Sequence, residues 1–415
     1  MNKKKTLILG AVILILTQAP AFAKPQKVTT VHHGPGQWEL LVGGKPYFIK
    51  GVVYNFVVVG DDPGAETMRD WSTLDFNKNG KNDLAYDSWV DKNANNVQDP
   101  DEPAVGDWKL LKDLGANTIR IYQMPSDDQR IRAHYQAKGL NLTYDHSPNK
   151  KIFRDLYNRY GIMTAVGNFF GEWAVGAGLP YGQNTDFTNP QQRQRLLDGI
   201  RVMVEQHKDE PYTLMWILGN ENFNPADLDN AETQVEAFLT MVNEAAKLIH
   251  QLDPNHPVAL CNWHASHLAD IARWAPAVDI FGMNAYSQGF DSLYVQVHNT
   301  FDRPVLVTEY GKPSYKDDNL NFNIQKNYHK VSWNSISENR FGRSGVGNSI
   351  GGMLFQWCDM WFFAGSPSTH DKGELMGQEY VEWMGITGQG DGKASPFIRQ
   401  LKKTYFLYQE FWKNK

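Results

Sequence analysis

The chain has 415 residues, 41 Lys and Arg against 46 Asp and Glu for a formal net charge of −5, and 41% hydrophobic residues. That length is ample for a large buried core, and the acidic balance excludes a surface built to track a phosphate backbone, so nucleic acid is not an expected partner. Two cysteines, Cys261 and Cys358, cannot make a disulfide scaffold; both fall in apolar, strand-like segments and are expected as buried free thiols.

In chain order, Lys3-Lys4-Lys5 is followed by an apolar stretch from Thr6 to Thr17 and by Ala21-Phe22-Ala23, a small-x-small site. This pattern predicts a secretory signal over 1–23, cleaved before Lys24. Its apolar core is short for a membrane span of about 20 residues. The remainder, 24–415, carries 38 basic against 46 acidic residues, a net of −8. A secreted or periplasmic protein is expected, monomeric and free of the membrane after cleavage. The aromatic share of 13%, with 13 Trp and 18 Tyr, suits platforms for flat, neutral ligands such as sugars.

Trp38 to Tyr47 reads as a small hairpin turning at Gly43-Gly44, and Tyr47–Tyr54 as a first core strand. Strands and helices then alternate. Apolar runs at 116–122, 161–167, 212–218, 257–262, 278–284, 303–309 and 350–357 are each preceded by a helical segment or long connection. Asn189-Pro190 caps and starts one helix, Gly115 stops another, and a last helix is expected over 396–412. Near-continuous apolar strands are buried on both faces, the mark of a parallel sheet. Eight such βα units predict an α/β fold, a (β/α)8 TIM barrel in a single domain. An open doubly wound sheet is the competing architecture, but strand one runs into Tyr54-Asn55-Phe56 rather than a Gly-rich phosphate turn.

The first connection, about 60–107, is a long insertion with an internal repeat. Asp75, Asn77, Asn79 and Asp83 recur sixteen residues later as Asp91, Asn93, Asn95 and Asp99. Oxygen ligands at positions 1, 3, 5 and 9, with main-chain carbonyls of Lys81 and Val97 at position 7, are what a hard cation needs. Glu102 stands at position 12 of the second copy; the first has Tyr86 there and Asp87 one place on. Both resemble EF-hand or dockerin-like calcium loops. A structural Ca2+ is expected in 75–102, with no cofactor for catalysis; the alternative is a solvated polar loop, since Asn and Asp favour turns.

Strand four ends in Gly219-Asn220-Glu221 and strand seven in Thr308-Glu309-Tyr310-Gly311. Two barrel strands each deliver a carboxylate at the C-terminal tip, where barrel active sites lie. Acids opposed across the mouth are the minimal machinery for glycoside hydrolysis. Asn220 and Glu221 would point to opposite faces of a regular strand, so a break in strand geometry is expected at Gly219.

These two signatures, with their strand numbers and order, resemble the clan A retaining glycoside hydrolases, eight-stranded barrels that include families 2, 5, 17 and 72. The resemblance covers Tyr47 to the C-terminus. It implies that Glu221 is the general acid/base, Glu309 the nucleophile, and Asn220 a contact to the sugar 2-hydroxyl. It further implies that Arg120 lies near the nucleophile, that Tyr286 bonds it, and that Trp357 floors the subsite. His264 and Asn168 are weaker candidates for hydroxyl contacts, and Glu172 and Glu382 are substrate-side or solvent carboxylates. A retaining β-glycosidase acting on a β-linked oligo- or polysaccharide, of β-glucan or β-mannan type, is the expected function. A transglycosylase using the same glutamates, and a non-catalytic carbohydrate-binding barrel, are the alternatives. Trp173, Tyr181, Trp263, Trp361 and Trp383 are expected along an extended cleft.

Overall fold

The computed structural model describes residues 25–65, 67–123, 146–224, 229–375 and 377–413. The expected secretory signal, 1–23, lies outside them. Among the described residues no helix is long and apolar enough to cross a membrane.

Eight parallel strands close into a barrel in chain order: Ile49–Val53, Thr118–Ile121, Met163–Asn168, Thr213–Leu218, Val258–Trp263, Ile280–Asn284, Val305–Tyr310 and Ser349–Leu354. They are called strands one to eight below. Every residue of strands two, three, four, six, seven and eight is buried, which is why the sequence shows runs rather than alternation. Helices Asp107–Leu114, His146–Tyr160, Pro190–His207, Val235–Leu252, Leu268–Trp274, Asp291–Thr300, Phe322–Glu338 and Lys403–Lys413 follow the strands in turn. The helix at Pro190 starts where expected: the Asn189 side chain accepts from the N–H groups of Gln191 and Gln192, supplying two of the unpaired first-turn donors with an acceptor.

Two apolar layers result. Ile49, Ala165, Ile217, Cys261, Ile280, Leu306 and Met353 belong to one cluster, and the helix-facing side chains to a larger one. An antiparallel sheet of Val28–Gly34, Gln37–Val42 and Lys45–Pro46, turning at Gly43-Gly44, closes the lower end. Its Val28 N–H bonds Asn255 ahead of strand five, and its Trp38 N–H bonds Gly347 ahead of strand eight. The strand at Val28–Gly34 lacks a clear apolar pattern because most of it is only half-buried.

Two expectations shift. Strand eight stops at Leu354 rather than at Trp357. The last helix begins at Lys403, because Ile398–Leu401 is a strand paired with Thr387–Gly388 and with Trp89–Val90 of the insertion. A helix there would forfeit those ladder bonds and the burial of Arg399, whose guanidinium forks onto both oxygens of Asp107 at 2.8 Å. Neither side chain of that pair is exposed. Asp107 also accepts from Tyr54 and Ser88 at 2.6 and 2.9 Å, so one carboxylate ties strand one, the insertion and the C-terminal strand together.

Candidate active site

Strand four breaks where its acid is delivered. Gly219 has φ +71°, and a Cβ there would sit 2.2 Å from Asn222 Oδ1, so only glycine fits. Glu221 follows at φ +59°, its N–H re-docked on Cys261 O of strand five at 3.2 Å. The break turns Asn220 and Glu221 toward one site instead of opposite faces.

Glu309 and Glu221 occupy different surroundings. Glu309 is 4% exposed. Its Oε1 accepts from Arg120 Nη1 at 2.8 Å and from the Tyr122 hydroxyl at 2.6 Å, and its Oε2 accepts from the Tyr286 hydroxyl. Glu221, 7% exposed, accepts from two carboxamides: Asn284 Nδ2 on Oε1 and Asn224 Nδ2 on Oε2, both at 2.7 Å. Burial, and then the Glu309 carboxylate, push Glu221 up to about 8, while the two carboxamides pull the other way. One carboxyl thus has a cation and two phenols, and the other is buried without a cation in direct contact among the described residues.

Asn284 links the two halves. In register with Glu309 across strands six and seven, it donates to Glu221 and to Asn220 Oδ1 at 3.1 Å, and accepts from Thr308 at 2.7 Å and Arg120 at 3.3 Å. Arg120 Nη2 donates to Asn220 Oδ1 at 2.9 Å and to Cys261 Sγ at 3.2 Å. Cys261 and Cys358 are both free and buried, as expected, and burial pushes each thiol up to about 12.

The structure therefore brings Arg120, Asn220, Glu221, Tyr286 and Glu309 into one network. It adds four side chains that the sequence reading left out of it: Tyr122, Asn224, Asn284 and Glu172. Tyr122 stands two residues after Arg120 and Asn284 two before Tyr286, so alternation along each strand is the signal that could have found them. Glu172 is fully buried beside Asn220 rather than in solvent.

Three candidates lie elsewhere. Trp357 does not floor the subsite: it is 1% exposed and packs between Tyr54 and Tyr405, ring centroids 6.3 Å away on each side, in the layer between barrel and helices. The register of strand eight does not extend to it, since the strand has ended at Leu354. Phe355 is the aromatic beside the site, edge-on to Tyr286 at 6.2 Å. His264 is half-buried against Trp263, burial lowers the pKa of its imidazole, and no hydrogen bond joins its ring to the glutamates among the described residues. Asn168 Oδ1 accepts from Phe170 N–H at 2.9 Å and so shapes the loop that carries Glu172.

Among the expected cleft aromatics, Trp173 and Tyr181 stack at 5.8 Å, with Tyr181 43% exposed. Trp361 and Trp383 are committed inward, sandwiching His370 at 4.8 and 3.5 Å. Glu382 is structural: it accepts from the N–H groups of Ala364 and Asp371, and burial lifts it to about 7.

The two insertion loops fold alike. Asp75 accepts from Asn79 and Gly80 N–H, Asn77 from Asn79, and Asn79 from Lys81. Asp91 likewise accepts from Asn95 and Asn96, Asn93 from Asn95, and Asn95 from Val97. The closing carboxylates differ from the expected register. Glu102 accepts from Lys92 N–H, and Asp99 from the amides of Asn93 and Asn95. In the first loop Asp83 takes the place of Glu102, accepting from Phe76 N–H, and Asp87 takes the place of Asp99, accepting from Asn77 and Asn79. Among the described residues no three His, Cys, Asp or Glu side chains are grouped as metal ligands.

Comparison with known proteins agrees with the barrel fold. Residues 100–330 match the family model for glycosyl hydrolases family 2, TIM barrel domain. Mannan endo-1,4-β-mannosidase 4 of Solanum lycopersicum is 27% identical over 267 residues, covering 50% of this chain and 64% of that protein. A β-glucuronidase of Streptococcus agalactiae is 24% identical over 270 residues, covering 61% of this chain and 40% of that one. The solved β-D-glucuronidase of Dictyoglomus thermophilum superposes with a TM-score of 0.56 at 16% identity, over 94% of this chain and 54% of that chain, which shows a shared fold. The chain spans less than two thirds of each of these relatives. With more than half of its length matched by one family model, and a closed barrel presenting two glutamates from strands four and seven, the chain belongs to glycosyl hydrolases family 2 through the TIM barrel domain of that family.

Proposed function

We propose that this chain is a retaining β-glycosidase working by double displacement. The observation that supports it most is the unequal environment of the two carboxyls. Glu309, ion-paired to Arg120 and bonded by Tyr122 and Tyr286, attacks the anomeric carbon; the glycosidic C–O bond breaks as Glu221 gives its proton to the departing oxygen. Glu221 then takes a proton from water, whose oxygen attacks the same carbon and releases Glu309. A sugar hydroxyl in place of that water would give the transglycosylase.

A neutral hexoside, of β-glucan or β-mannan type, suits the site better than a uronide. Arg120 is the one cation bonded to the catalytic pair among the described residues, and it is already engaged by Glu309, Asn220 and Asn284. A substrate carboxylate would add a second negative charge beside that of Glu309, with no further cation there to pair it among the described residues. The stacked Trp173 and Tyr181 rings offer a flat apolar surface of the kind a pyranose covers.

Azide trapping with activated aryl β-glycosides tests the roles. Glu309→Gly should yield the α-glycosyl azide and Glu221→Ala the β-glycosyl azide. An α-configured first product from the wild type, seen by NMR, would count against retention. A panel of 4-nitrophenyl β-glucoside, β-mannoside, β-galactoside and β-glucuronide tests the sugar; fastest cleavage of the glucuronide would overturn the neutral reading.

A structural Ca2+ in the insertion is part of the same proposal. The donor set suits a hard cation, being carboxylate, carboxamide and main-chain oxygen. Asp83 is fully buried, and its Oδ1 has no hydrogen-bond partner, which leaves an acceptor for a cation in the first loop. Asp83, Asp87, Asp99 and Glu102 would close the two loops. Terbium luminescence on the intact chain should titrate and be abolished by Asp75→Ala with Asp91→Ala; a chain that binds no lanthanide refutes the site.

A further inference from the structure

Glu172 is a third carboxyl at the site, and the double-displacement reading gives it no task. It follows strand three on a tight loop, Phe170 and Trp173 both having positive φ, at 51° and 56°. It is 1% exposed. Its Oε1 accepts from Asn220 Nδ2 at 3.3 Å, and its Oε2 has no partner. No cation pairs with it among the described residues.

Asn220 is bound on both sides. Its Oδ1 accepts from Arg120 at 2.9 Å and Asn284 at 3.1 Å, so the amide nitrogen must face the other way, toward Glu172. One amide hydrogen goes to Glu172 and the second is left for a ligand. An ionised Glu172 would be a buried, unpaired charge close to Glu221 and Glu309, which is the arrangement that proteins avoid by keeping the proton. Burial, and next the Glu221 carboxyl, raise Glu172 well above the usual carboxylate range.

We propose that Glu172 is a positioning residue: a neutral carboxylic acid whose carbonyl oxygen accepts one amide hydrogen of Asn220 and aims the other at the sugar 2-hydroxyl. This rests on the roles given above to Asn220, Glu221 and Glu309. As a neutral acid Glu172 adds no second negative charge to that of Glu309 while Glu221 holds its proton, and its Oε2–H remains a donor. Glutamine reproduces this arrangement: a carbonyl oxygen toward Asn220 and an N–H in place of the O–H.

Two measurements test it. Infrared difference spectra of wild type minus Glu172→Gln at neutral pH should show the carbonyl stretch of a protonated carboxyl; a carboxylate band there instead overturns the proposal, whatever the enzyme cleaves. In kinetics on the preferred 4-nitrophenyl β-glycoside of the panel, Glu172→Gln should stay within about threefold of wild type, as a neutral isostere with the same acceptor. Glu172→Ala should lose ~10- to 100-fold in kcat through a misaligned Asn220. On the matching 2-deoxy glycoside the alanine loss should shrink to under about threefold, since the aimed contact no longer exists. Equal losses for Gln and Ala, or an undiminished Ala loss on the 2-deoxy substrate, would overturn the proposal. Failure of the double-displacement reading itself would show separately, as unaltered activity in Glu221 and Glu309 variants.

Discussion

Asn284 Nδ2 lies 2.7 Å from Glu221 Oε1, so a residue of strand six sets the hydrogen bonding of an acid delivered by strand four. The same carboxamide reaches Asn220 and Arg120. The acid/base candidate, the substrate-contact candidate and the cation of the nucleophile candidate are therefore held by one side chain.

The pH profile should report the hydrogen bonding of Glu221. Glu221 must carry its proton to act as an acid, so kcat/KM should fall on the alkaline side as it titrates near 8. Asn224 donates to its Oε2 and favours the ionised form. Removing that donor in Asn224→Ala raises Glu221 further, and the alkaline limb should move to higher pH. A limb that stays put, or moves to lower pH, contradicts the assignment.

Tyr122 should matter to the chemistry rather than to binding. Its hydroxyl donates to Glu309 at 2.6 Å. A hydrogen bond to a charged group is worth about 1.5–3 kcal/mol, so Tyr122→Phe should lower kcat by roughly 10- to 100-fold. Steady-state kinetics showing a change confined to KM would refute this.

The Arg399–Asp107 pair should carry stability alone. Both side chains are fully buried, and their hydrogen bonds run to each other, to Tyr54, to Ser88 and to main-chain carbonyls rather than to the two glutamates. Breaking a buried pair by removing one partner costs about 3–5 kcal/mol. Arg399→Met should lower the denaturant midpoint accordingly while kcat, measured below the transition, stays near wild type.

Trp357 separates the observed site from the one expected from sequence. As core between Tyr54 and Tyr405, its truncation in Trp357→Leu should cost stability, on the order of 3 kcal/mol. KM for a β-linked oligosaccharide should not rise. A raised KM at unchanged Tm would restore Trp357 to the subsite.

Metal removal gives a last check on the insertion. If Ca2+ closes the two loops, EDTA should lower Tm and excess Ca2+ should restore it, as expected for a ligand that binds only the folded chain. No change in Tm on chelation would argue for a loop held by its Asx turns alone.

The sequence by itself determined the barrel and its two glutamates, because both signals are local. A strand buried on both faces writes its own apolar run, and an acid at the strand tip is visible as the run ends. Even the break at Gly219 followed from the need to turn Asn220 and Glu221 the same way. Tertiary structure alone decided what surrounds those acids. Alternation could place Tyr122 and Asn284 on the same face as Arg120 and Tyr286, but which carboxyl each of them bonds, and how Asn224 and Glu172 join them from their loops, is decided only when the barrel closes. Trp357 went astray for the same reason: where strand eight stops decides which way an aromatic faces. In the insertion, spacing located both loops, but only the closed chain showed Asp83 and Asp87 in the places that Glu102 and Asp99 hold in the second.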